Sequence, residues 1–503
     1  MKDDVLTLTR LSRFHRLAFL IALTLSFISL IILEEERSSV SEREILAASG
    51  PVTIYEIDDG ASKPMIFVAH GFAGSRQMLQ YISRDLARSG FQVAAFDFYG
   101  HGRNTELLSP DVKRIEGTTR QLVRQTQEVV SELRIALGAQ SGDFGLLGHS
   151  MATDIIIRAA KSWPEAKSVV AISMYSDAVT DRFPQNLLIL SGQWEGRLRE
   201  VGLRLVAQID TDAVEGQTVS NDWSTRRTVS IPFTEHVAVL FNAKTMDETR
   251  RWFANTLNPA TQGAPFTQGQ GLAIIGLLTG IAISAYLAAA LLPPRVEPQA
   301  QMGVTRFSAA LVMSAVLASG AVMVAPSDVL GLSAFGSLWA FLSVCGLVQI
   351  ICVWKTTVHE RSFDVLGFLF LLIAGGAIFA LALDRYAAAF IPVGARWILL
   401  VAFLPATVLF CVADRMMVRN AHLWRRIIAR VVPVCALAVC MMDTSRNFGL
   451  LFTVIPVLCL FYFVYGLMGR TVARQCGPMT SGAALGVILA WAIAASTPLF
   501  AVS

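Results

Sequence analysis

The segment DFGLLGHSMA, residues 143–152, decides the fold of the amino-terminal half of the chain. It begins with a short apolar run that is typical of a buried strand, turns at Gly148-His149-Ser150-Met151-Ala152, and continues as a predicted helix to about Ser162. Small residues on both sides of the serine allow a tight turn, which directs the Ser150 hydroxyl out of the carboxyl edge of the sheet. The backbone N–H of Met151, at the start of the helix, can then face a developing oxyanion.

Short apolar strands alternate with helices on both sides of this segment. We predict strands at 51–57, 65–69, 92–96, 143–147, 168–174, 186–191 and 228–232, with helices at 75–89, 118–137, 153–162 and 244–256. This alternation predicts an α/β fold with a doubly wound, mostly parallel sheet.

Two further loops carry motifs where predicted strands end. His70-Gly71-Phe72-Ala73-Gly74 follows one strand, and Asp97-Phe98-Tyr99-Gly100-His101-Gly102 follows the next. With the Gly-x-Ser turn, these loops resemble those of the α/β-hydrolase superfamily over roughly residues 50–257; Ala152 stands where that family usually has glycine. The resemblance implies a serine hydrolase in which the N–H of Phe72 is the second oxyanion donor. It also implies that the 97–102 loop is largely structural.

His236 is the candidate base. Of the seven histidines, three lie on the predicted cytoplasmic side of a membrane and three lie inside the loop motifs: His15, His359 and His422, and His70, His101 and His149. His236 remains, and it follows the last predicted strand, which is where the resemblance places the histidine.

The candidate acid is Glu195, which follows the strand at 186–191, where the resemblance places a triad acid. A carboxylate there would hold the imidazole in one tautomer and stabilise its cation. Asp177, after the preceding strand, is the alternative acid. Asp210, Asp212 and Glu235 are weaker candidates, which we interpret as solvated.

The rest of the chain is unusually apolar. Hydrophobic residues make up 54% and charged residues only 16%, which indicates several membrane spans. We predict a cytoplasmic tip and anchor over 1–33, a hydrolase domain over 34–271 and a membrane domain of about eight helices over 272–503. Spans are predicted at 17–33, 272–292, 307–325, 331–354, 364–383, 393–413, 427–442, 449–468 and 481–501, and the span at 427–442 is the weakest because Arg430 interrupts it.

Charge around these spans predicts their orientation. With the amino terminus in the cytoplasm, the loops expected on the same side are basic: they hold Arg295, Arg306, Lys355, Arg361, Arg415, Arg419, Arg425, Arg426, Arg470 and Arg474. The hydrolase domain is then extracytoplasmic, at a plasma or inner membrane. We interpret the first span as an uncleaved anchor, with a cleaved signal peptide as the alternative.

Composition also limits the chemistry. All seven cysteines follow residue 271, so the hydrolase region can form neither a disulfide nor a thiolate metal site, and we expect no metal or other cofactor. The net charge of +4, without basic runs interleaved with aromatic residues, argues against nucleic acid as a partner.

The hypothesis from sequence is therefore a membrane-anchored serine hydrolase acting on a carboxylic ester. A lipid or other amphiphile is the expected substrate, because the flanking spans hold the domain near the bilayer. Only 175–185 separates two strands where many relatives carry a lid, so we expect an open site. Peptidase or acyltransferase chemistry, a domain that serves a transport or signalling module, and an inactive scaffold are the alternatives.

Overall fold

The computed structural model describes residues 13–260, 269–294, 301–354, 362–443 and 447–502. Arg295, Lys355, His359 and Arg361 lie outside these residues. The chain divides into two compact units. One comprises Met1–Ser29, Gly276–Asp384 and Phe390–Ser503, and the other comprises Leu30–Ile275 with Arg385–Ala389.

The second unit is built on a nine-stranded sheet. Its strands are β1 (Ser41–Ala47), β2 (Gly50–Glu56), β3 (Met65–Ala69), β4 (Gln92–Phe96), β5 (Phe144–His149), β6 (Ala166–Ile172), β7 (Asn186–Gly192), β8 (Thr218–Ser220) and β9 (Thr225–Ile231). Their order is β1-β2-β4-β3-β5-β6-β7-β9-β8. The six strands from β4 to β9 in this order are parallel, and β1, β2 and β8 are antiparallel at the edges. The predicted α/β fold with a mostly parallel sheet is confirmed.

The helices that accompany the sheet follow the predicted alternation. They are α2 (Gln80–Arg88), α3 (Arg120–Ala136), α4 (Met151–Ala160), α5 (Gly196–Val206) and α6 (Ala243–Leu257). The helix that precedes them, α1 (Arg13–Ser38), begins in the other unit. The sequence prediction did not include β1, β8 or α5. Strands β1 and β8 are edge strands with mostly exposed or half-buried residues, so they lack the continuous apolar run that marks β3 and β5.

The other unit is helical. Its helices after α1 are α7 (Gln270–Ala288), α8 (Val304–Val324), α9 (Phe335–Val353), α10 (Val365–Leu371), α11 (Phe379–Tyr386), α12 (Ala395–Met417), α13 (Leu423–Met441), α14 (Val454–Cys476) and α15 (Pro478–Ser496). Among the described residues, eight helical segments are long and apolar enough to cross a membrane. Helix α13, at the weakest predicted span, is not among them, and its sequence includes Arg425, Arg426 and Arg430.

Candidate active site

Ser150 occupies a strained turn between β5 and α4. Its backbone angles, φ of 55° and ψ of −120°, lie in a region that residues other than glycine rarely adopt. Its N–H donates to the carbonyl of Ile172 on the neighbouring strand at 2.9 Å, which holds the turn against the sheet. A Cβ atom at Gly148 would lie 2.9 Å from the carbonyl oxygen of Ala152, so the turn needs glycine at this position.

His236 connects Ser150 to Glu195. The Ser150 hydroxyl lies 2.8 Å from Nε2 of His236, and Nδ1 of the same ring lies 2.6 Å from Oε1 of Glu195. The His236 side chain is 44% exposed, whereas that of Glu195 is 7% exposed. The three residues follow β5, β7 and β9, whose carboxyl ends meet at one edge of the sheet because these strands are parallel. The structure thus brings together the three residues that the sequence singled out.

The Glu195 carboxylate is held by two further donors. Its Oε2 accepts from the N–H of Gly192 at 2.6 Å and from the hydroxyl of Ser173 at 2.7 Å. Burial alone would raise the pKa of Glu195, but the hydrogen bonds from His236, Gly192 and Ser173 hold that pKa below its ordinary value. Glu195 is therefore ionised at neutral pH and suited to stabilising an imidazolium.

The loops that carry Glu195 and His236 are tied to each other. The N–H of Gln193 donates to the carbonyl of Ile231 at 2.9 Å, and the Gln193 side-chain oxygen accepts from the N–H of Phe233 at 2.9 Å. The N–H of Trp194 donates to the carbonyl of Thr234 at 3.2 Å. These bonds fix the separation of the acid and the base through the backbone.

The alternative acid, Asp177, lies elsewhere. Its side chain is 75% exposed and pairs with Arg158, which also binds Asp154 at 2.8 Å.

The weaker candidates make local contacts. Asp210 accepts from the N–H of Asp212, and Glu235 accepts from the N–H groups of Val237 and Ala238. In the parts of the chain that the structure describes, no group of three His, Cys, Asp or Glu side chains is placed to hold a metal ion.

His149 makes a contact that sequence reasoning missed. Its Nε2 lies 2.8 Å from the carbonyl oxygen of His236, and the two rings are 4.9 Å apart. Burial, followed by the proximity of His236, lowers the pKa of His149 to about 4, so the ring is neutral at pH 7. Since a carbonyl only accepts, the proton of the neutral ring lies on Nε2, and His149 donates to the backbone of His236. No local pattern indicates a contact between residues this far apart in sequence.

The two segments expected to supply the oxyanion donors lie beside Ser150. Met151 is the first residue of α4, so its N–H has no acceptor within that helix. Phe72 follows Gly71, where a Cβ atom would lie only 3.1 Å from the Cβ of Ser150. The loop after β3 therefore passes against the serine, and only a residue without a side chain allows this approach.

Buried polar groups hold that loop in place. His70 accepts from the N–H of Phe98 at its Nε2, at 3.1 Å, and its Nδ1 lies 2.8 Å from the carbonyl of Gly71. Asp97 accepts from the N–H of Arg76 at 2.8 Å and also pairs with the Arg76 guanidinium, with both side chains buried. The 97–102 loop thus joins the loops around the site, and Asp97 does not contact Ser150 or His236.

Comparison with known proteins finds similar proteins for part of the chain. Residues 60–227 match the family described as "Serine aminopeptidase, S33". A monoacylglycerol lipase from Mycolicibacterium smegmatis is 24% identical over 143 residues, which cover 27% of this chain and 47% of the lipase. The chain thus spans about half the length of this curated relative.

Solved structures of two hydrolases are also similar. A dienelactone hydrolase from Anabaena variabilis is 16% identical, covering 44% of this chain and 99% of that one with a TM-score of 0.34. A predicted CIB-like hydrolase from Thermoplasma acidophilum is 14% identical, covering 43% and 96% of the two chains with a TM-score of 0.33. From the family match and the order of its strands and loops, the chain contains a hydrolase domain of the α/β-hydrolase superfamily.

Proposed function

We propose that this protein is a membrane-bound serine hydrolase that cleaves carboxylic esters of lipids or other amphiphiles. Ser150 is the nucleophile, and His236 is the general base. Glu195 is the acid that orients His236 and stabilises its positive charge. The observation that carries the proposal is the continuous chain of two hydrogen bonds, of 2.8 and 2.6 Å, from the Ser150 hydroxyl through His236 to Glu195. This is the arrangement that activates a serine for acyl transfer.

The reaction follows from these roles. Nε2 of His236 takes the proton of Ser150 while Oγ attacks the acyl carbonyl, and the N–H groups of Phe72 and Met151 hold the resulting oxyanion. The imidazolium, stabilised by Glu195, then protonates the leaving alcohol oxygen as its bond to the acyl carbon breaks. Water, deprotonated by His236, then attacks the acyl carbon, and His236 returns the proton to Oγ of Ser150 as the bond from Oγ to the acyl carbon breaks and the acid leaves. Losing one oxyanion donor typically costs about 10²–10³ in rate.

An apolar rim supports an amphiphilic substrate. Tyr175, Trp194 and Phe233 are between 67% and 80% exposed, in loops that follow β6, β7 and β9 at the same sheet edge as Ser150. Large exposed aromatic side chains at a catalytic edge favour an apolar ligand over a polar one. The 173–185 loop between β6 and β7 contains no helix, which leaves this edge uncovered by a lid at that position. The similar curated protein is named a monoacylglycerol lipase, and this agrees with an ester substrate.

A fluorophosphonate probe tests the nucleophile. The full-length protein in detergent should form a covalent adduct that Ser150→Ala abolishes. The control is Ser162→Ala, which removes an exposed serine beyond the end of α4. The probe should label this variant as it labels the parent protein. Equal labelling of Ser150→Ala, or no labelling of the parent protein, would remove the enzymatic proposal.

Substrate panels then separate ester from amide chemistry. The family description names an aminopeptidase, so peptidase activity is the second candidate. We expect hydrolysis of p-nitrophenyl esters that quickens as the acyl chain lengthens, and little release from aminoacyl p-nitroanilides. Faster turnover of the anilides would favour the peptidase instead.

We also propose that the hydrolase domain is extracytoplasmic. Arg306 near the start of α8 and Arg415 near the end of α12 lie at helix ends that this topology puts in the cytoplasm, and Arg419 directly follows α12. Arg470 and Arg474 near the end of α14 lie on the same side when α13 is counted as a span. Protease added to intact cells stripped of outer layers should digest the domain. Protection that lasts until the cells are lysed would reverse the topology.

A further inference from the structure

The helical unit contains a cavity of about 940 Å³, lined by the end of α12, the loop after it, α13 and α14. Six arginines line it: Arg415, Arg419, Arg426, Arg430, Arg470 and Arg474. The described lining residues include no aspartate or glutamate. Asp414 pairs with Arg430 at 3.2 Å, which leaves a large excess of positive charge around the cavity.

The cavity is positive at one end and apolar along its walls. The lining residues of α13 recur every three or four positions from Leu423 to Cys435, and those of α14 do so from Cys459 to Arg474, so one face of each helix points into it. The arginines lie in the first part of α13 and in the last parts of α12 and α14. Beyond Arg430, the α13 wall continues with Val431, Val434 and Cys435. The distance from Arg426 to Cys435 along the helix is about 13 Å.

Arg415 indicates that the cavity is built for an anion. Its side chain is buried, with 5% of the residue exposed, and Nε has no hydrogen-bond partner. Its Nη2 lies 3.4 and 3.5 Å from the carbonyls of Tyr465 and Gly466, which are long, weak contacts. A Cβ atom at Gly469 would lie 2.9 Å from this nitrogen, so glycine makes room for the guanidinium. A buried, incompletely bonded guanidinium that lines a cavity favours an acceptor within it.

We propose that this cavity binds an anionic phospholipid, with the phosphate against the arginines and an acyl chain along the apolar walls of α13 and α14. One guanidinium group can bind two phosphate oxygens at once. The six arginines also carry more positive charge than a single carboxylate would balance. The proposal also explains α13. Arg426 and Arg430, which make this helix too polar for a lipid-facing span, lie on the face that lines the cavity. The site is independent of the chemistry at Ser150.

Native mass spectrometry of the full-length protein in detergent tests this proposal. Phosphatidylglycerol should bind about tenfold or more tightly than phosphatidylcholine with the same acyl chains, because only the former carries net negative charge. The double variant Arg426→Gln/Arg474→Gln should lose most of this preference. Arg306→Gln, an exposed arginine of α8 outside the cavity, is the matched control and should bind as the parent protein does.

Further arms separate the lipid from other anions and from misfolding. Val434→Trp fills the apolar wall without changing charge and should also weaken phosphatidylglycerol binding. Equal affinity for the two lipids, or full binding by the double variant, would overturn the proposal. So would thermal stabilisation by inorganic phosphate that equals the effect of the lipid, or tighter binding of oleate than of phosphatidylglycerol.

Discussion

Glu195→Gln is the most direct test of the acid. The carboxylate receives hydrogen bonds from His236, Gly192 and Ser173, at 2.6, 2.6 and 2.7 Å. Glutamine keeps the shape but replaces one oxygen by an NH₂ group, so at least one donor must face another donor. The variant also loses the negative charge beside the imidazolium that forms during catalysis.

The magnitude follows from the geometry. Two unit charges about 4 Å apart interact with about 4 kcal/mol at an effective dielectric constant near 20. The Glu195 side chain is 7% exposed and that of His236 is 44% exposed, so the dielectric constant typical of pairs near a protein surface applies. About 4 kcal/mol corresponds to a loss of about 10³ in kcat. The KM should change little, because the charge acts on the transition state rather than on bound substrate.

The assay is steady-state hydrolysis of p-nitrophenyl butyrate by the full-length protein in detergent, with thermal unfolding to verify the fold. Asp177→Asn is the matched control: it removes an exposed carboxylate that pairs with Arg158, and its kcat should stay within about twofold of the parent value. The reasoning is refuted if folded Glu195→Gln keeps more than about a tenth of the parent kcat, or if Asp177→Asn loses as much as Glu195→Gln.

Two further predictions concern buried groups of the hydrolase unit. The pKa of His149 is about 4 in the folded protein, against an ordinary value of 6.5. Between these two pH values the unfolded chain binds a proton that the folded chain does not. The free energy of unfolding is therefore at its full value above pH 6.5 and falls by about 3 kcal/mol as the pH drops towards 4. Thermal unfolding from pH 7.5 to 4.5 should show a difference between the parent protein and His149→Gln that varies with pH, and a constant difference would contradict this. Asp97→Asn removes the buried carboxylate that pairs with the Arg76 guanidinium, which keeps only the exposed Glu44 at 3.0 Å, and should destabilise the unit by about 3 kcal/mol. The control Glu116→Gln breaks the exposed pair with Arg120 and should leave the unfolding temperature nearly unchanged. Equal changes in the two variants would contradict the stabilising role of the Asp97–Arg76 pair.

The elements around Ser150 were predictable because their signals are local. A buried strand, a turn of small residues and a helix follow one another within residues 143–162, and each depends on its own short pattern. The three loops at 70–74, 97–102 and 148–152 were found for the same reason. Strands β1 and β8 were not, because an exposed edge strand carries no run of buried residues.

The choice of acid needed contacts between distant segments. Both Glu195 and Asp177 follow strands of the parallel sheet, and the sequence ranked them only by resemblance. In the structure, the loops of β7 and β9 are hydrogen-bonded through Gln193, which brings Glu195 to His236. Asp177 turns to Arg158 on α4 instead. The same dependence on folding hides the bond from His149 to the backbone of His236.

The sequence by itself determined the class of fold, the tight turn at Ser150 and the apolar segments, because each results from spacing and composition within a few residues. The tertiary structure alone decided which carboxylate is hydrogen-bonded to His236 and which faces of α13 and α14 line the cavity. Partners across a sheet or between helices are set by packing of segments far apart in the chain, and no local pattern records that packing. Ser150 is thus defined by its own turn, whereas the groups that would activate it are defined by the order of the strands.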